Sequence, residues 1–324
     1  MSEVLPQFEL MRPATAAEAV AQFGAHEDAR YIAGGTDLLV NIRRGLAEPE
    51  TLIDLGAIAE LGTIESDRKG TTIGAGVTLA QLAEDAAVAR AFPALVTAAA
   101  SIAGPGHRET GTVGGNLCLD TRCVFYNQSQ WWRSSNDFCL KYQGEICHVA
   151  PKGDFCHAAF SGDLAAVLLV LGAEISITGP QASRRMPLED LYTGIGDDHL
   201  TLEPGELVTA VHLAASPMPV TYEKMRVRGA IDFPLAGVAV GLVMKEDKVA
   251  DLRIGVTGTN TRPFLVEDIG PFIGQPLDDD ALERLAEVVQ KQVSLMRTTL
   301  IRPFARRRIA GAMARRQTAA LAGA

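Results

Sequence analysis

The chain has 324 residues, 47% hydrophobic and 21% charged, enough for about two domains of roughly 150 residues and a buried core, which excludes a disordered polypeptide. A formal net charge of −9 argues against a nucleic-acid partner, because counterion release needs clustered cations facing phosphates. No apolar run reaches the roughly 20 residues of a bilayer span, and Met1-Ser2-Glu3-Val4-Leu5-Pro6 lacks both regions of a secretory signal, so a cytoplasmic chain without a membrane partner is expected.

In chain order, Ala16–Phe23 reads as a short helix with Thr15 as its N-cap. Arg30–Ala33 reads as a strand that runs into Gly34-Gly35-Thr36-Asp37, and Leu38, Leu39 and Ile42 then follow helical spacing. Thr51–Leu55 and Thr71–Val77 are further strands, the second followed by a helix through Leu79 and Leu82. Residues 92–103 form an alanine-rich helix stopped by Gly104-Pro105-Gly106. Thr112-Val113-Gly114-Gly115-Asn116 comes next, and regular patterning then lapses until a buried helix over Gly162–Leu171. Strands follow at Glu174–Ile177 and Leu207–Leu213, and Ser216-Pro217-Met218-Pro219 is a proline-rich break taken as a domain boundary. Beyond it, strands near 220–228, 235–244 and 251–258 precede helices near 279–296 and 302–316, an α+β order with helices on one face of a sheet. The small-residue tail after Gln317 is expected to fray. The last helix carries Arg302, Arg306, Arg307, Arg308, Arg315 and Arg316, either a solvated basic face or one turned to an acidic partner.

Consecutive N–H groups in a glycine turn form an anion-binding nest, to which a following helix adds its dipole. Ala33–Asp37 fits that description, and Thr112–Asn116 is a second candidate. Neither is G-x-G-x-x-G or G-x-x-x-x-G-K-[ST], so dinucleotide-fold and P-loop readings fail. Two such turns together point to a pyrophosphate site, although tight turns are glycine's commonest use.

All five cysteines lie between Cys118 and Cys156, with both tryptophans in the same stretch. An odd count without a signal peptide is not a secreted disulfide framework. Cys123, Cys139, Cys147 and Cys156 are too widely spaced for a finger built on C-x-x-C pairs. From spacing alone an iron–sulfur cluster, zinc and unligated thiols all remain open. Cys118 reads as a small buried hydrophobe, His148 and His157 as surface histidines or sulfur partners. Phe125, Tyr126, Trp131 and Trp132 read as a local apolar cluster that docks the loop.

Taken together, Ala33–Asp37 and Thr112–Asn116 resemble the two flavin-pyrophosphate loops of FAD subunits in the xanthine dehydrogenase family of molybdenum hydroxylases. Lys224-Met225-Arg226-Val227-Arg228-Gly229-Ala230-Ile231-Asp232-Phe233-Pro234 resembles the entry to that family's C-terminal domain. Ordinary members pass almost directly from the Gly-Gly-Asn turn to the helix near Asp163, whereas this chain inserts roughly 40 residues, well beyond a typical loop. Asp120–Arg133 is similar to the insertion in β subunits of the 4-hydroxybenzoyl-CoA reductase subfamily.

The resemblance implies an α+β fold: a PCMH-like FAD-binding domain over 1–216 carrying an iron–sulfur insertion at 118–160, and a C-terminal flavoprotein domain over 217–324. It implies FAD contacts from Tyr31, Ile32, Ala33, Gly34, Gly35, Thr36, Asp37 and Leu38, and from Thr112, Val113, Gly114, Gly115 and Asn116. Asp163 and Lys224 are implied as further contacts, and Ile102 stands where some relatives place an aromatic ring on the flavin. It implies a 4Fe–4S cluster on Cys123, Cys139, Cys147 and Cys156, and no catalytic residue in this chain. Partners would be a molybdopterin-binding large subunit and a small subunit with two 2Fe–2S clusters, in a dimer of heterotrimers. Electrons would run from reduced ferredoxin through 4Fe–4S, FAD and 2Fe–2S to molybdenum, removing the ring hydroxyl of 4-hydroxybenzoyl-CoA to give benzoyl-CoA and water. The rivals are a flavin subunit of another molybdenum hydroxylase, acting on an aromatic or purine substrate, with a structural zinc loop, and a metal-stapled assembly module without flavin.

Overall fold

In the computed structural model of the protein, residues 5–215 and 218–323 are described. The boundary at Ser216-Pro217 falls outside them, so the division there stands as a proposal.

Three short strands, β1 (Glu9–Met11), β2 (Ala29–Ile32) and β3 (Thr51–Asp54), form a parallel sheet in the order β1-β3-β2. Parallel neighbours need crossovers, which the helices Ala16–Gly24 and Leu38–Arg43 supply. Thr15 caps the first as its spacing predicts, its hydroxyl accepting from the Glu18 N–H, while Ala16, Ala19 and Val20 pack on Ala29 and Ile53. β1 went unread because three residues carry no period.

β4 (Ile64–Ser66), β5 (Gly70–Gly74), β6 (Glu174–Thr178), β7 (Ser183–Pro187) and β8 (Leu207–Ala214) form a second, antiparallel sheet, ordered β4-β5-β8-β6-β7. Everything between β5 and β6, the cysteine stretch included, is one excursion from this sheet. The excursion ends in the helix Asp163–Val170, buried along its whole length; a helix apolar on every side belongs in a core.

β9 (Val220–Met225), β10 (Ala236–Lys245), β11 (Lys248–Thr257) and β12 (Phe264–Leu265) form a third, antiparallel sheet, ordered β12-β11-β10-β9. The Asp163–Val170 helix covers one face of it, and the helices Asp279–Gln292 and Pro303–Ala322 cover the other. β10 therefore shows no alternation and is buried at seven consecutive positions. The helix approaches so closely that a Cβ on Gly255 would overlap the Ala166 carbonyl.

The arrangement is α+β, as expected. The tail does not fray: the last helix continues to Ala322 and closes on Gly323 at φ 75°, the left-handed position that favours glycine. Gln317 and Thr318 are buried in it, with Gln317 bonded to Val238 O and Thr221 Oγ1. The basic face of this helix is solvated in part, with Arg302, Arg308, Arg315 and Arg316 exposed, but not throughout. Arg306 is fully buried and donates to the Leu235 and Gly258 carbonyls and Thr298 Oγ1. Arg307 bonds Val293 O, and Arg315 and Arg316 pair with Glu283 and Glu223. Among the described residues no helix is long and apolar enough to cross a membrane.

Candidate cofactor sites: a diglycine cradle beside a cysteine cavity

β2 delivers the chain into Ala33–Asp37, and Leu38–Arg43 carries it away as a helix. Gly35 sits at φ 67°, and a Cβ on Gly34 would overlap the Thr110 carbonyl, so both positions demand glycine. The N–H groups of Gly34, Gly35, Thr36 and Asp37 donate to no described residue. Four unpaired donors on one turn are costly unless something accepts from them, and an anion there suits them.

The second glycine pair behaves differently. Thr112–Asn116 is the capped first turn of the helix Val113–Leu117, and its donors are already used. Val113 N–H donates to Val77 O (2.9 Å), Gly114 N–H to Ala75 O (2.8 Å), Gly115 N–H to Thr112 Oγ1 (3.0 Å) and Asn116 N–H to Thr112 O (2.9 Å). This segment is a wall rather than a nest. The two glycine stretches still meet, since Gly34 abuts Thr110 and Gly111, and Gly111 faces Thr36.

Asn116 ties the cradle to the core helix, its Oδ1 accepting from the Leu164 N–H (3.1 Å). Asp163 opens that helix at 2% exposure and accepts from the Tyr222 hydroxyl (2.6 Å) and Lys224 Nζ (3.0 Å). Burial raises the Asp163 pKa, opposed chiefly by the charge of Lys224. Lys224 and Arg226 also donate to Ser101 O, beside Ile102. Asp163, Lys224 and Ile102, remote in sequence, thus share one locality. The Tyr31 side chain does not join them: its hydroxyl donates to Gly205 O (2.9 Å), and its ring lies 4.8 Å from that of Phe23.

From 118 to 161 the chain has one regular element, the turn of helix Gln130–Ser134. Cys123, Cys139, Cys147 and Cys156 are nevertheless 4–8% exposed and line a single small apolar cavity, with Phe125, Tyr126, Lys141 and His148 also in its wall. Burial pushes the Cys123 thiol up to about 11 and Cys156 to about 12, and raises Cys139. Backbone N–H groups of Phe125 and Tyr126 oppose this at Cys123, as do those of Lys141 and Tyr142 at Cys139. The Ala158 N–H donates to Cys156 Sγ (3.4 Å). The charges of Cys139 and Cys147 act on Cys123, and that of Cys147 on Cys156. Among the described residues no three His, Cys, Asp or Glu side chains are grouped to hold a single metal ion.

Side chains that sequence reasoning missed hold this loop in place. Arg122 and Ala159 exchange both backbone hydrogen bonds (2.7 Å each), joining the flanks of Cys123 and Cys156. The Arg122 guanidinium pairs with Asp37 of the diglycine turn and lies 4.7 Å from the centre of the Phe233 ring. Arg133, 1% exposed, donates to Arg44 O (3.0 Å) and Gly45 O (2.9 Å) and covers the Tyr142 ring at 4.4 Å. The cysteine cavity therefore docks against the end of the very helix that leaves the diglycine turn. Buried cations in a cysteine-rich stretch were the available signal, but their partners lie about 80–90 residues away, too far for any local pattern to show. The expected aromatic cluster forms only in part: Phe125 meets Trp132 (6.2 Å) and Tyr126 is buried, but Trp131 is 68% exposed. Neither histidine is free: His148 packs on Phe125 and meets the Phe138 carbonyl, and His157 packs on Phe155. Cys118 lies apart from the other four, packed on the main core.

Residues 6–216 match the family described as the FAD binding domain in molybdopterin dehydrogenase, and residues 220–321 the CO dehydrogenase flavoprotein C-terminal domain. The carbon monoxide dehydrogenase medium chain of Afipia carboxidovorans is 31% identical over 297 residues, 89% of this chain and 88% of that one. The xanthine dehydrogenase FAD-binding subunit of Escherichia coli O157:H7 is 27% identical over 288 residues, covering 87% and 85%. The solved Cu,Mo-CO dehydrogenase in its cyanide-inactivated form superposes with a TM-score of 0.79 at 28% identity, covering 99% of each chain.

Proposed function

Since this chain belongs to the FAD-binding subunits of the xanthine dehydrogenase and CO dehydrogenase family of molybdenum hydroxylases, we propose that it carries, besides FAD, a 4Fe–4S cluster on Cys123, Cys139, Cys147 and Cys156. The observation that carries this reading is the convergence of four buried thiols on one apolar cavity. Backbone N–H groups face the sulfurs of Cys123, Cys139 and Cys156, and such bonds stabilise a negatively charged cluster.

The unpaired N–H groups of Gly34, Gly35, Thr36 and Asp37 would hold the flavin pyrophosphate, with Thr112–Asn116 as the opposing wall and Ile102, Asp163 and Lys224 as further contacts. Arg122 links the cysteine loop to Asp37 and so fixes the two sites relative to each other. When bound, the flavin exchanges one or two electrons and the cluster one, which suits a relay. The chain contributes no catalytic residue, and its work is to bind, space and insulate the carriers.

We place it in a cytoplasmic dimer of heterotrimers with a molybdopterin-binding large subunit and a 2Fe–2S small subunit. Reduced ferredoxin is the donor and reductive dehydroxylation of 4-hydroxybenzoyl-CoA the reaction; the thioester carbonyl accepts charge from the ring and makes that substrate reducible. A second reading is a flavin subunit of another molybdenum hydroxylase, acting on an aromatic or purine substrate, with structural zinc in the loop; its enzyme class, though not its metal, is supported by the relatives' names, among them carbon monoxide and xanthine dehydrogenases. Metal and flavin analysis of the anaerobically purified complex decides between them. About eight irons per flavin, four more than the partner's two 2Fe–2S clusters account for, with turnover of 4-hydroxybenzoyl-CoA supports the first reading, and zinc with only about four irons and no such turnover supports the second.

A further inference from the structure

Resting on the cluster reading above, we propose that Lys141 is the charge-setting residue of the cysteine cavity, its fixed ammonium raising the reduction potential of the group held there. Lys141 is the one Lys or Arg in the cavity wall. Its side chain is 6% exposed, so water screens its charge weakly.

The ammonium is immobilised. It donates to Asp120 Oδ1 (2.6 Å), Gly196 O (2.9 Å), Thr121 O (3.4 Å) and Thr121 Oγ1, and stands 4.7 Å from the centre of the Tyr126 ring. Three N–H donors thus meet four acceptors and a ring face. Only one acceptor is charged, and Asp120 is a quarter exposed, so it offsets the ammonium incompletely. Lys141 also follows Cys139 by two residues, and its charge acts on both Cys139, in the middle of the loop, and Cys156, near its end.

Burying an ammonium is costly without a return. A staple between the loop and Gly196 needs only hydrogen-bond donors, which neutral side chains supply. A full positive charge at this point is of use against negative charge in the cavity. One-electron reduction makes a thiolate-bound cluster more negative by one unit, and a fixed cation nearby favours the reduced form. The same reasoning assigns Asp120 the opposite influence, because it partly cancels that cation.

The test is a redox titration of the anaerobic holoenzyme followed by electron paramagnetic resonance, with dithionite as reductant, on wild type, Lys141→Met and Asp120→Asn. The cluster potential is expected to move negative in K141M and positive in D120N, with the flavin potential unmoved in both. Shifts of opposite sign are not what a purely structural staple produces. A full iron complement, about eight per flavin with the partner's two 2Fe–2S clusters included, and a wild-type potential in K141M overturn the proposal, and so does a D120N shift that is absent or negative. If K141M loses the irons of this chain's cluster, the sign of the D120N shift alone decides. Should wild type carry no iron beyond the partner's roughly four, the cluster reading itself has failed and this inference goes with it, an outcome told apart from the others by metal analysis before any titration.

Discussion

The diglycine cradle and the cysteine loop are neighbours built on opposite plans. The cradle hangs between regular elements, and its shape is set locally: a strand end, a positive-φ glycine and Thr112 capping the opposing helix. The loop spends over 40 residues on one turn of helix and is held by Arg122, Arg133 and Lys141 reaching outward to distant carbonyls and carboxylates. Several of its buried polar atoms, Arg122 Nε, Arg133 Nε and Nη1 and Asn127 Nδ2 among them, have no partner. Unpaired buried groups mark a region of low local stability. The contrast teaches that the cradle is shaped by local backbone geometry, while the loop depends on side chains that reach distant elements, and under the proposed cluster reading it would draw further order from what its thiols bind.

The largest expected effect breaks the two regions apart. Cys147→Ser removes one of the four proposed cluster ligands and should cost the complex about four irons, leaving those of the partner's 2Fe–2S clusters, and expose residues 118–161 to proteolysis, with flavin still bound; iron and flavin analysis beside limited proteolysis checks this. Equal loss of flavin would mean that the cradle is not independent. Next comes Asp163→Asn, which leaves Lys224 buried without its counter-charge and should destabilise the fold by about 3–5 kcal/mol. Chemical denaturation of both proteins measures it, and a change under 1 kcal/mol would show that the pair is dispensable. Gly34→Ala sets a methyl against the Thr110 carbonyl and costs about 1–3 kcal/mol of overpacking. It should weaken flavin binding tenfold or more while iron stays, read by flavin titration of the deflavinated complex.

The smallest effect lies in the sheet behind both regions, which should be indifferent to either cofactor. His212 on β8 lies between Thr72 Oγ1 (3.1 Å) and Ser176 Oγ (2.7 Å), and burial, followed by the charge of Arg185, lowers its pKa below 6.5. Its neutral form is therefore favoured in the fold. That stability is complete above the unfolded value near 6.5 and declines as pH falls through it towards the lower folded value, where the loss levels off. Unfolding curves between pH 5 and 8 should show a shallow slope that His212→Gln flattens, with and without iron alike.

Much of this was legible in the residues. Thr15 announced its cap, Gly34-Gly35 its turn, and Gly162–Leu171 a helix apolar on all sides, because each signal is confined to a few neighbouring positions whose backbone conformation is fixed locally. β1, β4, β7 and β12 were missed, being short or half-exposed strands that carry little periodicity of their own. Within the basic stripe on the last helix, Arg306 misled for a related reason: whether it meets water or the Leu235 carbonyl depends on an element some 70 residues away.

What the sequence determined by itself was the inventory: a pair of glycine segments, four spaced cysteines in an aperiodic insertion, and an α+β order of elements. The tertiary structure decided which donors stay unpaired, since Gly34–Asp37 keeps its N–H groups free while Thr112–Asn116 consumes its own. It also decided that four distant thiols line one cavity, that Lys141 stands in its wall, and that Arg122 ties the loop to Asp37. The physical reason is that hydrogen-bond satisfaction and electrostatic screening depend on distance in space and on burial, and a sequence records neither until the chain has closed on itself.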